Sequence, residues 1–373
     1  MQLKRLPFIP NSQLLPFQAF DDLVVNYSQN FDFNSKDLII VIDDHFGAIS
    51  CNISDQNPDN QIFCLNDSKS SQSAIKKNMH ANELKLPQFF HSWDKMNAQI
   101  DSGTYQKIFV FMPWAKTLHH WKYHIQKLSS LGKSHKNGTL HFVSGGMIKY
   151  YTHQYRDIVQ AAFGNSDLSR ITKKARLLTA NWNSTSVETI DEIKSQFNEG
   201  KIDHASQILI KCLALPEIHQ IVTELRDTQT VLDLGAGSGP LADAILSHTA
   251  AKFHLTDDSF NSIEIMDKKY ATEVSSGKLK IYHADTFHHD HLKEKKFSLI
   301  ISNPPYHQYF TLVPELLYLF IHEAIDHLEA NGTFIWVTST QFSPPRKMVG
   351  KYLEELGSFD GHTVWKYRKT LWG

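Results

Sequence analysis

The chain has 373 residues, of which 41% are hydrophobic and 21% charged, with a formal net charge of −1. That is long for one domain and ordinary in composition for a globular protein of two. No window approaches roughly 18 uninterrupted apolar residues, and the first residues (Met1-Gln2-Leu3-Lys4-Arg5-Leu6-Pro7) lack the apolar core of a signal peptide, so no membrane span is expected.

Three scattered cysteines (Cys51, Cys64, Cys212) show no metal-ligand spacing, which points to a reducing, cytoplasmic compartment. Charge is unevenly distributed. Lys107 to Arg176 holds twelve Lys and Arg against two acidic residues, Asp157 and Asp167. Such a stretch suits either a polyanionic partner or a solvated basic surface.

Residues 1–35 carry several turn residues and read as an irregular or partly helical lead-in. A strand follows at Asp37–Ile42, then Asp43-Asp44-His45-Phe46-Gly47-Ala48, which has the form of a nucleotide-binding turn with one glycine where several are needed for close approach to a ligand. This is a scaffold without a site. Lys107–Met112 is a strand ended by Pro113. Leu118–Leu131 has apolar residues at helical spacing (Leu118, Trp121, Ile125, Leu128). Gly138–Ser144 is a strand that Gly145-Gly146 should close, and Lys149, Arg156, Arg170, Lys173, Lys174 and Arg176 gather beyond it. Strand–helix alternation makes this half α/β.

Polar residues 181–198 form the expected linker between domains at 1–180 and 199–373. A helix is expected over Asp203–Leu215, with Pro216 interrupting it. Thr230–Leu234 is a strand, followed by the glycine loop Gly235-Ala236-Gly237-Ser238-Gly239 and a helix over Pro240–His248. Further strands are expected at Lys252–Thr256, Leu279–Tyr282, Phe297–Ser302 and Thr333–Val337, and a last pair near Phe359 and His362–Tyr367. Ser259 can cap a helix reaching about Ser275. Leu312–Leu328 is a long helix turned at Asn331-Gly332.

Two stretches carry chemistry. In the first, Asp233, Gly235, Gly237 and Gly239 make a strand-to-helix turn, and Asp257 and Asp285 end the next two strands, where carboxylates can accept from a ribose and an adenine amino group. In the second, the apolar strand stops at Asn303-Pro304-Pro305-Tyr306. Proline cannot donate to a ladder, so the strand ends there. An amide, a fixed carbonyl and an aromatic ring are left together at a strand's carboxyl end, which suits a planar group bearing an amine. His283, His288, His289, Asp290 and His291 lie on or beside a loop with no second ligand group at sensible spacing, and no metal is expected.

The glycine loop with the Asn-Pro-Pro-Tyr tetrad resembles the class I S-adenosylmethionine-dependent methyltransferases, and within them the enzymes that methylate exocyclic or amide nitrogens. More of the chain resembles the bacterial ribosomal RNA guanine-N2 methyltransferases, the large-subunit (23S) enzymes in particular. The resemblance is carried by Asn303 to Gln308, Asp203 with Gln207 upstream of the loop, Asp43 to Ser50, Ser144 to Tyr150 and Lys173 to Leu177. Ala205 departs from the usual glycine, Ala236 from a common cysteine and Tyr306 from the usual phenylalanine.

The resemblance implies two Rossmann-like α/β domains, the N-terminal one degenerate and RNA-holding. It implies S-adenosylmethionine as cofactor, bound by Asp233, Gly235, Gly237, Gly239, Asp257, Asp285 and Asn303. Asn303, Pro304 and Tyr306 would be catalytic, with ribosomal RNA met by Pro305, His307, Lys149, Lys173, Lys174 and Arg176. A small-subunit ribosomal RNA target, DNA adenine, protein glutamine and a non-catalytic RNA-binding assembly factor remain open at this point.

Overall fold

A computed structural model describes residues 1–7, 14–100, 104–135, 139–182, 202–308, 311–344 and 350–370. The chain divides into two compact units, Met1–Ser195 and Gln196–Gly373. Most of the expected linker lies outside the described residues.

The first unit is built on strands β1 (Leu38–Ile42), β2 (Gln61–Leu65), β3 (Gln88–Phe90), β4 (Lys107–Pro113), β5 (Thr139–Met147), β6 (Asp167–Leu168) and β7 (Ala175–Asn181), in spatial order β3-β2-β1-β4-β5-β7-β6. All pairs are parallel except β5–β7 and β6–β7. β1 is buried at every position, as a strand covered on both faces must be. Helices α1 (Ala19–Ser28), α2 (Ala48–Gln56), α3 (Lys69–Ala81), α4 (Trp93–Asn97), α5 (Leu118–Ser134) and α6 (His153–Phe163) complete it. Thr117 caps α5 by accepting from the His120 amide (3.1 Å), and the helix buries Trp121, Ile125 and Leu128.

β5 does not stop at Gly145-Gly146 as expected but runs through both. A Cβ at Gly145 would lie 2.7 Å from Leu177 Cδ2, and one at Gly146 2.7 Å from Trp114 Cδ2. The glycines admit neighbours rather than end the strand.

The second unit repeats the plan with β8 (Thr230–Leu234), β9 (Lys252–Asp257), β10 (Leu279–His283), β11 (Phe297–Ser302), a small hairpin β12 (His307–Gln308) and β13 (Thr311–Leu312), β14 (Leu328–Ser339), β15 (Leu353–Phe359) and β16 (His362–Arg368). The sheet order is β10-β9-β8-β11-β14-β16-β15, the same as in the first unit. In each sheet the order reverses beside the first strand, between β1 and β4 or between β8 and β11. The crevice beyond the strands' carboxyl ends at such a reversal is where open α/β sheets bind ligands.

Helices α7 (His204–Leu213), α8 (Pro216–Thr223), α9 (Pro240–Ile245), α10 (Phe260–Lys269), α11 (Ala271–Ser275) and α12 (Pro314–Asp326) complete the unit. Pro216 opens a new helix rather than merely ending one, since a missing N–H costs nothing at a first turn. The helix expected to reach Ser275 breaks at Tyr270 (φ −105°, ψ 25°). Asn331-Gly332 does not end an element. It sits inside β14, with Asn331 at φ 65° where the ladder to β11 shifts register. No helix among the described residues is long and apolar enough to cross a membrane.

Candidate active site

The two units offer the same turn with different side chains. After β8 the chain reads Gly235-Ala236-Gly237-Ser238-Gly239 and after β1, at equal length, Asp43-Asp44-His45-Phe46-Gly47. Gly239 (φ 81°, ψ 27°) and Gly47 (φ 89°, ψ 15°) both precede their helices in the left-handed region. The first position is left-handed in both, Gly235 at φ 74° and Asp43 at 51°.

In the first unit the space over this turn is taken. Asp44 accepts from the Gly47 amide (3.0 Å) and the Ser50 amide (2.7 Å), so a carboxylate of the chain itself occupies the start of α2. Arg5 lies 4.9 Å over the Phe46 ring, and the lead-in residues Leu15, Phe17 and Phe20 line the same small pocket as Asp43 to Phe46.

In the second unit the turn is bare. Ser302 Oγ donates to the Leu234 carbonyl (2.6 Å) and pins the end of β11 to the end of β8, which brings Asn303 to the glycine loop. The Ala236 amide donates to Thr256 O (2.8 Å), and Gly237 N donates to Asp257 Oδ2 (2.7 Å). Asp257 Oδ1 accepts from the Ser259 amide (2.8 Å). Each carboxylate oxygen keeps a further lone pair for a hydroxyl. Burial raises the Asp257 carboxyl to about 6.

Asp233 is fully buried and accepts from Ala242 N (3.0 Å) through Oδ2. Its Oδ1 has no partner among the described residues, and burial raises the carboxyl to about 8. Asp285 lies half-buried just beyond β10, bridged to His288. A loop with glycine at three of five positions, a carboxylate beside it and an unsatisfied buried oxygen beneath it fit a cofactor with ribose hydroxyls and a cationic end.

The loop is braced from behind. The single Tyr270 Oη proton has two acceptors in reach, Gly239 O (2.8 Å) and Asp243 Oδ1 (2.7 Å), and Lys269 Nζ donates to Ser238 O (2.9 Å) and pairs with Asp243.

At the tetrad Pro304 is buried, Pro305 and His307 are exposed, and Asn303 and Tyr306 are half-buried. Asn303 Nδ2 donates to Asp203 Oδ1 (3.0 Å) and to Ser206 Oγ (3.1 Å). The Tyr306 ring packs 5.3 Å from Phe342, and its carbonyl accepts from Val313 N (2.9 Å).

The models of two known domains match the chain, the RLMG N-terminal domain over residues 1–184 and the methyltransferase small domain over residues 189–360. The chain joins these two domains. It is 24% identical over 390 residues to ribosomal RNA large subunit methyltransferase G of Pseudomonas putida, covering 99% of this chain and 97% of that one. It is 21% identical over 348 residues to the Vibrio vulnificus protein of the same name, covering 89% and 86%. Its fold is also that of a T. thermophilus 16S rRNA N2 methyltransferase (RsmC) solved with AdoMet and guanosine, with a TM-score of 0.66, 18% identity, and coverage of 93% of this chain and 92% of that chain.

In the RLMG N-terminal domain, the β5–β7 pairing (Met147 opposite Ala175) brings Lys149 and the exposed Lys173-Lys174 turn to one end of the sheet. Arg176 differs from these lysines. It is half-buried, donates to Ser169 O (3.0 Å) and lies 5.5 Å over the Tyr151 ring.

The sequence reading missed two groups. Ser206, not Gln207, reaches the tetrad, whereas Gln207 Nε2 turns back to Ile202 O (2.8 Å). Asp43, His120 and His124 also converge, and among the described residues only they are grouped tightly enough to hold a metal ion. The i, i+4 histidines were a visible signal, but Asp43 is distant in sequence. Trp93 Nε1 donates to His124 Nδ1 (2.9 Å), and an indole can only donate, so neutral His124 carries its proton on Nε2. That proton faces His120 Nε2 at 2.6 Å. Burial lowers His120 to about 4, leaving it neutral and able to accept. A ligand set would need the His124 Nε2 lone pair, and this geometry is a hydrogen-bonded chain instead.

Proposed function

We propose that the protein transfers a methyl group from S-adenosylmethionine to the exocyclic N2 amine of a guanine in large-subunit (23S) ribosomal RNA. The observation that carries this is the Asn303 amide. It sits at the end of β11 beside the bare glycine loop, with both Nδ2 protons committed and Oδ1 left to accept.

Gly235, Gly237 and Gly239 give room for the cofactor's methionine end, Asp257 accepts from its ribose hydroxyls and Asp285 from its adenine amine. Asp233 lies beneath the loop. Bound there, the cofactor supplies an electrophilic methyl group on a sulfonium that leaves as a neutral thioether, so the site needs no strong base. The chain's own work is positioning. Asn303 Oδ1 and the Pro304 carbonyl accept the amine's N–H bonds, turning its lone pair out of conjugation, and Tyr306 stacks on the base. The proton lost from nitrogen passes to solvent. A paired guanine must leave its duplex to enter. Lys149, Lys173 and Lys174 supply phosphate contacts without reading sequence. Exposed Pro305 of the tetrad and His307 just after it border the base. The activity belongs in the cytoplasm, with the ribosomal RNA, and calls for no metal.

The test is deletion of the gene followed by mass-spectrometric mapping of both ribosomal RNAs. Loss of one N2-methylguanine from the large-subunit RNA is expected. Loss from the small-subunit RNA moves the target, and an unchanged profile refutes the reading.

A further inference from the structure

The tetrad alone does not decide which end of the Asn303 amide meets the substrate, because a carboxamide can rotate to offer either its oxygen or its NH2 group. The residues behind it do decide. α7 begins after Asp203, whose Oδ1 accepts from the Ser206 amide (3.0 Å) as an ordinary helix cap. The same oxygen accepts from Asn303 Nδ2, across 100 residues of sequence. Ser206 Oγ donates its proton to Asp203 Oδ2 (2.6 Å), so its lone pair is what faces Asn303 Nδ2 at 3.1 Å. Ser206 is buried, 4% exposed, so water does not compete for the hydroxyl. Both groups facing Nδ2 are therefore acceptors. A rotated amide would set its oxygen against a carboxylate oxygen and a lone pair, losing two hydrogen bonds and gaining repulsion.

We propose that Asp203 and Ser206 are positioning residues of the methyl-transfer site: they take both protons of the Asn303 amide and so commit its Oδ1 to accept from the target amine. This rests on the proposed function. The carboxylate does a second thing. An amide that donates to an anion carries more negative charge on its own oxygen, so Asp203 makes Asn303 Oδ1 a stronger acceptor for the amine proton. Neither residue touches substrate.

The test uses the full-length protein on ribosomal RNA from a strain lacking the gene. Ser206→Ala removes one acceptor. Asp203→Asn keeps the helix cap, since Asn caps as well as Asp, but puts an NH2 group into the arrangement and lets the amide rotate. Each variant is expected to lower kcat about tenfold, the worth of one lost hydrogen bond. Affinities for cofactor and RNA should stay within about twofold of wild type. In an Asn303→Ala background, Ser206→Ala should change the residual rate by less than about twofold, because the group it orients is gone.

A kcat within about twofold of wild type in both single variants overturns the proposal. So does a loss of cofactor affinity that matches the loss of kcat, or an additive effect on top of Asn303→Ala. Wild-type turnover separates the two readings. If wild type leaves guanine unmethylated the proposed function fails, and if it is active while the variants match it only the positioning role fails.

Discussion

Gly239→Ala tests whether the glycine loop is held in shape by the residue behind it. Gly239 has φ 81°, where a side chain costs roughly 1–2 kcal/mol. Its new Cβ would lie 2.4 Å from Tyr270 Oη and 2.8 Å from Cε2. The phenol must therefore move, yet it is only 3% exposed and its one proton is held between Gly239 O and Asp243 Oδ1. Surrendering that hydrogen bond adds about 1–2 kcal/mol, the upper end for the charged partner. The total is roughly 2–4 kcal/mol. In a Tyr270→Ala background the collision disappears and only the backbone cost of roughly 1–2 kcal/mol remains. A double-mutant cycle by urea unfolding of the full chain should thus show a coupling of about 1–2 kcal/mol, with cofactor affinity by calorimetry falling in Gly239→Ala. Costs that add within about 0.5 kcal/mol would refute the steric argument.

Asn303→Ala should cut turnover to a small residual rate while leaving cofactor affinity largely intact by calorimetry; equal loss of both would place Asn303 on the cofactor instead. The Asp233 carboxyl, raised to about 8 by burial, holds its proton more tightly folded than unfolded, so it lowers stability as pH rises from the ordinary carboxylate range through about 8. Asp257, at about 6, acts with the same sign. Asp233→Asn keeps an acceptor for Ala242 N and should flatten the fall in Tm between about pH 5 and 8.5, and an unchanged fall rejects this. Alanine at Lys149, Lys173 or Lys174 should weaken RNA binding and reduce the salt slope by about 0.7–0.9 per contact. Arg176→Ala should instead cost roughly 1–2 kcal/mol of stability, because the half-buried side chain donates to Ser169 O and lies over the Tyr151 ring. Filter binding across salt and thermal melts would separate them, and a salt-slope loss for Arg176 without a stability cost would reverse the assignment.

The parts of the fold legible in the sequence are those with strong local signals. Thr230–Leu234 and Phe297–Ser302 are apolar runs ended by glycine or proline, and both form strands at those bounds. The glycine loop and the tetrad were visible because their chemistry is contiguous. What escaped depends on partners far along the chain. Gly145-Gly146 looks like a stop until Trp114 and Leu177 are seen pressing on it. Tyr270 looks like one more helical residue until its hydroxyl is found on Gly239 O. Ser206 differs in nothing local from any first-turn serine, and only the fold brings it to Asn303. The Trp93–His124–His120 chain likewise joins two separate helices and cannot be read from spacing.

The Asp44 carboxylate seated on the start of α2 has a consequence for how the molecule responds to its surroundings. A turn that carries its own anion needs none from solution, so at that turn the first unit is stabilised by the chain itself. The second unit left its turn bare, and whatever binds there adds RT ln(1 + [L]/Kd) to its resistance to unfolding. When the cofactor pool runs low, it is the second unit that loses this stabilisation. That is also the unit that carries the glycine loop and the tetrad, so the supply of cofactor is coupled to the stability of the proposed catalytic site itself.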